Sequence, residues 1–380
     1  MNIKDYVIEI RRELHQYPEI GFDLPRTLAI VRRELDKMGI AYTESYGRSS
    51  IVATINDECD GKTLAMRADM DALPINEETG LPFSSRHEGA MHACGHDCHT
   101  AMLLGTAKIL KAKENELPCR VKLLFQAAEE YAPGGAKLMC DDGVMEGVDC
   151  IIGCHVSVGL DPGKIAFNYG KMYAQSHGFI LKVKGKSCHV CSPQCGIDAI
   201  AMATQIYTDV QVMRAREIDP KMPCIIGIGE IHGGRANNVV CDEVMMHGTI
   251  RTVNEGLDDY IYGRIGQIAE AVTSQRGGGY ELTTTKNYPL LKNDPDATER
   301  LAEIARRLLG AENVYSEKVF TMGAEDFAFY RQHAPGVFFN LGVGRDDDPV
   351  APAHNCKFTV DESGLEFGPK LFVEYAMGFK

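Results

Sequence analysis

Strand-like runs alternate with helical segments along this chain, and this alternation is the feature that most restricts its fold. Between residues 49 and 156, apolar runs typical of strands are separated by segments with apolar residues at helical spacing. The strand-like runs are 49–55, 63–69, 121–127 and 148–156, and the helical segments are 98–114 and 134–143. The alternation predicts an α/β domain with a mostly parallel central sheet flanked by helices.

The pattern changes after residue 173. A strand, a long amphipathic helix, two strands, a second helix and a last strand follow one another up to residue 288. This β-α-β-β-α-β order is the ferredoxin-like arrangement, an α+β sandwich. Near Pro289 the chain returns to a helix at 297–309, further strand-like segments, and a last helix at about 363–379. We therefore expect one domain formed by residues 1–173 and 289–380, with a second domain, 174–288, inserted into it.

Charge and composition exclude several classes of protein. The chain has 40 Lys and Arg against 53 Asp and Glu, a net charge of −13 with no basic block, which argues against nucleic acid or an anionic membrane as a partner. No apolar run approaches the about 18 residues of a membrane span, and the N-terminal residues lack a secretory signal pattern. The 13 cysteines are odd in number and scattered, so a reducing cytoplasm is the expected compartment.

The densest group of reactive side chains is MHACGHDCH at 91–99. Cys94 and His96 are two residues apart, so in an extended segment they face the same side. Thiolate and imidazole are both good ligands for zinc and similar ions. The alternative is a glycine-containing turn with buried thiols and polar residues that cap a helix.

Acidic and histidine side chains follow other strand-like runs. Glu129 and Glu130 end FQAAEE and point in different directions, so one can bind a metal while the other accepts a proton. A solvated loop is the alternative for such a pair. His155 ends another apolar strand, where open α/β sheets build their sites, although a histidine there is more often a core residue. His354 in PAHNCKF is, by itself, weak evidence for a site.

Asp69 and Asp71 lie at the end of a further strand. They can be metal ligands, or they can orient imidazole ligands.

Taken in order, the motifs resemble those of the two-metal amidohydrolase/aminoacylase family of metallopeptidases, in particular its hippurate hydrolase and auxin-conjugate hydrolase branch. The motifs are RADMDALP (67–74), MHACGHDCHTAMLLG (91–105), FQAAEE (125–130), MGAEDFAFY (322–330) and PAHNCKFTVDE (352–362). The resemblance covers nearly the whole chain. It implies a catalytic α/β domain that carries an inserted ferredoxin-like lid, which usually dimerises.

The resemblance also implies the roles of individual residues. Five positions match the family's metal ligands: Cys94, His96, Glu130, His155 and His354. They would hold two divalent ions per chain, of zinc, manganese, cobalt or nickel, with Cys94 as the expected bridging ligand. Glu129 matches the general base. Asp71 keeps the orienting role of the wider superfamily's His-x-Asp motif, in which Asp69 replaces the histidine ligand.

Three further matches lie in the predicted lid, and one lies after it. His189 matches the histidine of a Gly-x-x-x-His loop that reaches the partner subunit's site, and Asn238 matches an asparagine near the substrate. Arg251 is placed where a guanidinium can pair with a substrate carboxylate, with a surface salt bridge as the alternative. Glu325 is a further substrate-binding candidate.

The lid segment departs from the family pattern by having Cys188, Cys191 and Cys195 around His189. Thiolates this close can chelate zinc. The alternative, reduced thiols of minor structural importance, is the expected state in a cytosolic protein.

The resemblance predicts metal-dependent hydrolysis of the amide bond of N-acyl-L-amino acids by a homodimer that forms through the lid. A metal-bound hydroxide would attack the carbonyl carbon, and Glu129 would serve as the general base. The alternatives are a dipeptidase or an N-acetyl-diaminopimelate-type deacetylase that uses the same site, and a binding module that has lost its metals.

Overall fold

The computed structural model describes residues 2–316, 321–344 and 351–380. The chain divides into two compact units. The first contains Met1–Met172, Leu291–Phe320 and Glu325–Lys380, and the second contains Tyr173–Leu290 and Thr321–Ala324. The order of strands and helices in the sequence does not predict that the short segment Thr321–Ala324 groups with the second unit.

The helices and strands are numbered here in chain order. The described residues form helices α1–α8 at Ile3–His15, Pro25–Met38, His96–Ala112, Gly135–Asp141, Ala199–Arg216, Leu257–Ser274, Pro295–Leu309 and Phe367–Met377. They form strands β1–β14 at Ala41–Thr43, Ile51–Ile55, Thr63–Asp69, Arg120–Gln126, Cys150–Ser157, Ile165–Phe167, Lys171–Tyr173, Gln175–Lys184, Cys224–Gly233, Glu243–Thr252, Gly279–Tyr288, Leu291–Lys292, Val314–Ser316 and Gly336–Gly342. None of these helices has the length and apolar character needed to cross a membrane.

The first unit is built on an eight-stranded sheet with the order β1-β2-β4-β3-β5-β14-β6-β13. The pairs β4–β3, β3–β5, β5–β14 and β6–β13 are parallel, and the others are antiparallel. All seven residues of β3 are buried, as expected for a central strand covered on both faces. The mostly parallel α/β architecture predicted from the sequence is confirmed.

Helix α3 begins at His96, two residues before the predicted start. Gly95 precedes it with φ +93°, a left-handed conformation that costs glycine little. A Cβ atom at Gly95 would lie 2.4 Å from Cγ2 of Val156, so the close approach to β5 also requires glycine here. This turn places His96 in the first turn of the helix.

The second unit has the order β8-α5-β9-β10-α6-β11 and a four-stranded antiparallel sheet. The order within that sheet is β11-β8-β10-β9, the ferredoxin-like topology expected from the sequence. Buried side chains of the strands, such as Leu181 and Met246, form a separate core with Met202 and Ile265 of the two helices. β9 is an edge strand of this sheet.

Close packing between β14 and β5 generates a prediction about stability. A Cβ atom at Gly336 would lie 2.1 Å from the carbonyl oxygen of Ile151, its partner in β5. Because that oxygen belongs to the backbone, it cannot move aside easily. We expect Gly336→Ala to lower the free energy of unfolding by about 2–3 kcal/mol, measured by denaturant unfolding.

The matched control is Gly159→Ala in the same unit, where the nearest atom to the added Cβ is Oγ of Ser157 at 3.7 Å. We expect this substitution to change the unfolding free energy by less than about 0.5 kcal/mol. Equal and small effects of the two substitutions would contradict the close packing of β5 and β14.

Candidate metal centre

The candidate metal ligands and Glu129 meet at one edge of the large sheet. Strands β4, β3 and β5 lie side by side and run parallel. Asp69 is the last residue of β3, His155 lies near the end of β5, and Glu129 follows the end of β4 by three residues. Ligand sites of open α/β sheets form at the carboxyl ends of their strands, and the side chains described below follow this rule.

Cys94, His96 and His155 form the first group of candidate ligands, with one donor atom from each lying within 4.8 Å of the others. Sγ of Cys94 is 3.3 Å from Nε2 of His155. Nδ1 of His155 donates to the carbonyl oxygen of Val156 at 2.7 Å, and Nδ1 of His96 donates to that of Asp71 at 2.9 Å. Both imidazoles can therefore present an unprotonated Nε2, and Nε2 of His96 is buried without a hydrogen-bond partner in the described part of the chain.

Cys94, Glu130 and His354 form the second group under the same distance limit. Nε2 of His354 lies 3.1 Å from Oε1 of Glu130. The backbone N–H of His354 donates to the carbonyl oxygen of Ala93 at 2.8 Å, which brings this distant segment to Cys94. His354 has φ +66°, an unusual conformation for a residue with a side chain. Cys94 thus belongs to both groups.

Electrostatic interactions within the two groups shift the acid–base properties of their members. Burial would raise the pKa of the Cys94 thiol, but the neighbouring imidazoles of His155 and His96 lower that pKa to about 6. Hydrogen bonds with Cys94 and Glu130 raise the pKa of His354 to about 10. The thiolate is therefore the favoured form of Cys94, and the thiolate is the form that binds metals.

Glu129 is buried beside the two groups. Its N–H donates to Oδ1 of Asp71 at 2.9 Å, and the N–H of Glu130 donates to Oδ2 at 3.1 Å. One carboxylate thus fixes the backbone of both glutamates. Burial, followed by the charges of Glu325 and Asp326, raises the pKa of Glu129 well above its usual value.

A buried guanidinium that sequence reasoning missed lies beneath the site. Arg67 in β3 donates to Asp69 at 2.6 Å, to Asp326 at 2.7 Å and to Gln126 at 2.8 Å. Its Nη2 is also 3.1 Å from Oε1 of Glu325. The signal in the sequence was a charged residue, Arg67, among the apolar residues of LAMRA (64–68).

Glu325, a predicted substrate-binding residue, is only 2% exposed. It accepts a hydrogen bond from the N–H of Phe327, and it forms a group of three carboxylates with Glu129 and Asp326. The structure therefore places Glu325 among the buried charges around Arg67.

His99 is a second residue that sequence reasoning missed. Its Nδ1 donates to Oδ1 of Asp69 at 2.6 Å, and its Nε2 accepts the N–H of Val156 at 2.9 Å. It lies three residues after His96, on the same side of α3, and this spacing was the available signal. Because both of its ring nitrogens are hydrogen-bonded within the protein, His99 supports Asp69 and β5.

In the second unit the structure brings two predicted residues together. His189 forms an isolated bridge with Val239, and the N–H of Val190 donates to the carbonyl oxygen of Asn238 at 3.0 Å. The side chains of His189 and Asn238 are exposed. Nδ1 of His189 accepts the N–H of Cys191 at 3.2 Å, so in the neutral ring Nε2 bears the proton and can act as a donor.

Arg251 lies on β10, where its Nη1 donates to the carbonyl oxygen of Met322 at 3.3 Å. Within the described ranges no carboxylate lies within salt-bridge distance of Arg251, and its pairing with a substrate carboxylate stays a prediction.

The three lid cysteines do not form a site together. Cys188, Cys191 and Cys195 are free thiols, and their sulfur atoms do not belong to any group of three candidate ligands in the part of the chain that the structure describes. The zinc alternative for this segment therefore has no geometric support.

The donor set at the sheet edge fits divalent metal ions. It combines one thiolate, three imidazoles and a carboxylate, which are the side chains that bind zinc and related ions in proteins. The buried Nε2 of His96 has no hydrogen-bond partner in the described residues. A buried polar atom without a partner is costly, and coordination of a metal would remove this cost.

Comparison with known proteins identifies the family to which the chain belongs. The model of peptidase family M20/M25/M40 matches residues 65–378. Thermostable carboxypeptidase 1 of Saccharolobus solfataricus is 38% identical over 99% of this chain and 96% of its own length. N-acetyl-L-cysteine deacetylase of Bacillus subtilis is 35% identical over 96% of this chain and 85% of its own length. IAA-amino acid hydrolase ILR1-like 4 of Arabidopsis thaliana is 36% identical over 98% of this chain and 85% of its own length.

A solved structure of a protein from the same family also matches the chain. The Bacillus subtilis YXEP protein, described as a dinuclear metal binding peptidase from the M20 family, superposes with a TM-score of 0.85 at 33% identity. The match covers 99% of this chain and 98% of that one. These findings confirm the family resemblance seen in the motifs: the chain belongs to peptidase family M20/M25/M40 and is a metal-dependent amidohydrolase.

Proposed function

We propose that the chain hydrolyses the amide bond of N-acyl-L-amino acids and releases a carboxylic acid and a free amino acid. The observation that carries the proposal is the convergence of Cys94, His96, Glu130, His155 and His354 beside the buried Glu129. Two of the relatives, an N-acetyl-L-cysteine deacetylase and an IAA-amino acid hydrolase, are named for substrates of this class.

Two divalent ions would be held by the two groups of ligands. Cys94, His96 and His155 would bind one ion, and Glu130 and His354 would bind the other together with Cys94, whose place in both groups supports a bridging role. When bound, the ions would act as Lewis acids that polarise the amide carbonyl and lower the pKa of water. Thiolate and imidazole suit zinc, cobalt and nickel, and a carboxylate also suits manganese.

Glu129 is proposed to carry the proton. Its carboxylate would accept a proton from the attacking water and deliver it to the leaving nitrogen, as a general base and then a general acid. Burial and the nearby carboxylates of Glu325 and Asp326 raise the pKa of Glu129, which makes it a stronger proton acceptor than a solvent-exposed glutamate. Asp71 positions Glu129 by accepting hydrogen bonds from the backbone N–H groups of Glu129 and Glu130. The side chains of the two glutamates therefore keep separate directions.

The lid residues are proposed to complete the site from a second subunit. Nε2–H of His189 would donate to the developing oxyanion, with Asn238 beside it, and Arg251 would pair with the substrate carboxylate. Dimerisation through this unit is supported by the edge strand β9, which exposes Ile225 and Ile231. Exposed apolar groups on an unpaired strand favour pairing with another chain.

A dipeptidase is the second candidate for the same site, and one observation favours it. A relative with 38% identity is named as a carboxypeptidase, so a peptide in place of the N-acyl amino acid is chemically close. An N-acetyl-diaminopimelate-type deacetylase is a further variant of the same reaction.

The test of the proposed function is a hydrolysis screen. N-acetyl, N-benzoyl and indoleacetyl amino acids and dipeptides would be assayed in parallel with manganese, zinc, cobalt and nickel. We expect turnover of N-acyl amino acids that is lost on chelation and restored by added metal. Faster hydrolysis of dipeptides would favour the second candidate, and undiminished activity in metal-free protein would contradict both.

The shared position of Cys94 generates a prediction about metal content. Removing its thiol takes a ligand from both groups, so Cys94→Ala should reduce the bound metal from about two ions per chain, measured by elemental analysis after dialysis. Cys154→Ala is the matched control, because Cys154 is also a buried free thiol next to His155 but belongs to neither group. Equal losses from both variants would show that the thiol assignment is wrong.

The separate roles of the two glutamates predict different defects. Glu129→Gln keeps the shape of the side chain but cannot accept a proton, so turnover should fall by at least about 10²–10⁴ while metal content stays unchanged. Glu130→Gln should instead lower metal content. If the metal loss occurs in Glu129→Gln and not in Glu130→Gln, the two roles are exchanged.

A shared active site predicts recovery of activity in mixtures. His189→Ala should lower turnover by about 10²–10³, and Glu129→Gln should be nearly inactive through the other half of the site. In a heterodimer of the two variants, one of the two sites contains both residues. Random subunit exchange should then restore up to about a quarter of wild-type activity, measured after exchange has been verified by mass spectrometry.

The control for this mixture is the double variant His189→Ala/Glu129→Gln mixed with either single variant, which should stay inactive. Verified exchange of the two single variants without any recovery would show that His189 does not act across subunits.

A further inference from the structure

The first turn of α3 carries His96 but has no side-chain cap. Gly95 precedes the helix and offers no side chain. Oδ1 of Asp97, the second residue of the helix, accepts the N–H of Cys98 at 2.9 Å. The same N–H also donates to the carbonyl oxygen of Gly95 at 2.9 Å, so the carboxylate of Asp97 adds a second acceptor at the first turn of α3, where N–H groups have few partners within the helix.

The other oxygen of the same carboxylate is held from α1. Oδ2 of Asp97 accepts from Nε of Arg11 at 2.8 Å and from Nδ1 of His15 at 2.7 Å. Arg11 and His15 are 1% and 0% exposed. Nε2 of His15 is also 3.4 Å from Oε1 of Glu77. We call Arg11, His15 and Asp97 the Asp97 cluster.

The position of Asp97 within the helix connects this cluster to the metal centre. Neighbouring side chains on a helix point about 100° apart, so Asp97 faces α1 while His96 faces Asp71. The ring of His96 donates one hydrogen bond, to a backbone oxygen. Its Nε2 has no hydrogen-bond partner among the described residues, although Oδ2 of Asp69 lies 3.7 Å from it. The direction of that Nε2 therefore depends on where the first turn of α3 lies.

Packing alone does not account for buried charges at this position. α1 already buries Tyr6, Val7, Ile10 and Leu14 in the main core. A buried ion pair adds little net stability compared with apolar groups of similar size, whereas charge-assisted hydrogen bonds fix geometry strongly. The Asp97 cluster is therefore better suited to fixing the first turn of α3 than to stabilising the fold.

We propose that Arg11 and His15, acting through Asp97, are positioning residues that hold His96 in the orientation required for metal binding. The inference rests on the proposed function, since it assigns a role toward the metal ions that His96 would bind. It extends the metal centre to helix α1, which contributes no ligand.

Two substitutions of His15 separate this role from a general effect on packing. In His15→Asn the amide N–H₂ takes the place of Nδ1 and can still donate to Asp97. In His15→Gln it takes the place of Nε2 and can reach Glu77 instead. We expect His15→Gln to weaken Co²⁺ binding by about 10–100-fold, the usual effect of losing a group that orients a ligand, and His15→Asn to change it only a few-fold.

Cobalt affinity would be measured by competition with a chelator, and the absorption spectrum of the Co²⁺ protein would report the geometry of the site. The spectrum should change in His15→Gln and stay close to wild type in His15→Asn. The control is Tyr6→Phe, which removes a buried hydrogen bond from α1 to Glu34 without touching Asp97. It should lower the melting temperature without altering cobalt affinity.

Equal cobalt affinities of the two His15 variants, or a loss that only parallels the fall in melting temperature, would overturn the proposal. If either His15 variant does not fold, Asp97→Asn replaces it. Its side-chain N–H₂ group cannot accept the hydrogen bonds that Arg11 and His15 donate to Oδ2 of Asp97. Unchanged cobalt affinity in Asp97→Asn would overturn the proposal as well. A wild-type protein that binds no Co²⁺ would refute the proposed metal site itself, which distinguishes the two failures.

Discussion

The arrangement of charges at the sheet edge depends on the buried guanidinium of Arg67. It donates to Asp69 and Asp326 and lies near Glu325, and all of these carboxyl groups are buried. Taking ionised carboxylates out of water costs several kcal/mol for each ion unless they are paired. With Arg67 in place, Asp69 can stay ionised, as its strongly lowered pKa indicates, and it can orient His99. Arg67 thus makes an acidic environment around Glu129 compatible with a buried core.

Backbone geometry brings together residues that are far apart in the sequence. The ends of three parallel strands supply Asp69, the segment of Glu129 and His155, while His354 arrives from a different segment through a hydrogen bond to Ala93. His354 and Ala128 have φ of +66° and +54°, and such conformations cost about 1–3 kcal/mol and cluster at functional sites. The surrounding hydrogen bonds must hold them, which explains why the second group of ligands depends on the loop around His354.

The local pattern of the sequence predicted the alternation of strands and helices, and the resemblance of its short motifs to a known family implied the side chains that converge at the sheet edge. The sequence did not predict the contacts of Arg67, since Asp326 lies 259 residues away and no local pattern links the two. His99 was missed because its spacing from His96 is equally typical of a helix surface. The contact between Arg11 and Asp97 spans 86 residues and depends on how α1 packs on α3, which periodicity alone does not determine.

The motif resemblance implies that Asp69 replaces a histidine ligand of the wider superfamily, and the contacts of Asp69 fit such a replacement. Its Oδ1 accepts from His99 and its Oδ2 accepts from Arg67, so both oxygens are already used in holding the protein together. Cys94 lies within reach of both ligand groups, and a thiolate with two neighbouring imidazoles is a soft donor. The exchange of an imidazole for a thiolate should therefore shift the preference of the site toward softer divalent ions, while Asp69 and Arg67 stabilise the strands beneath it.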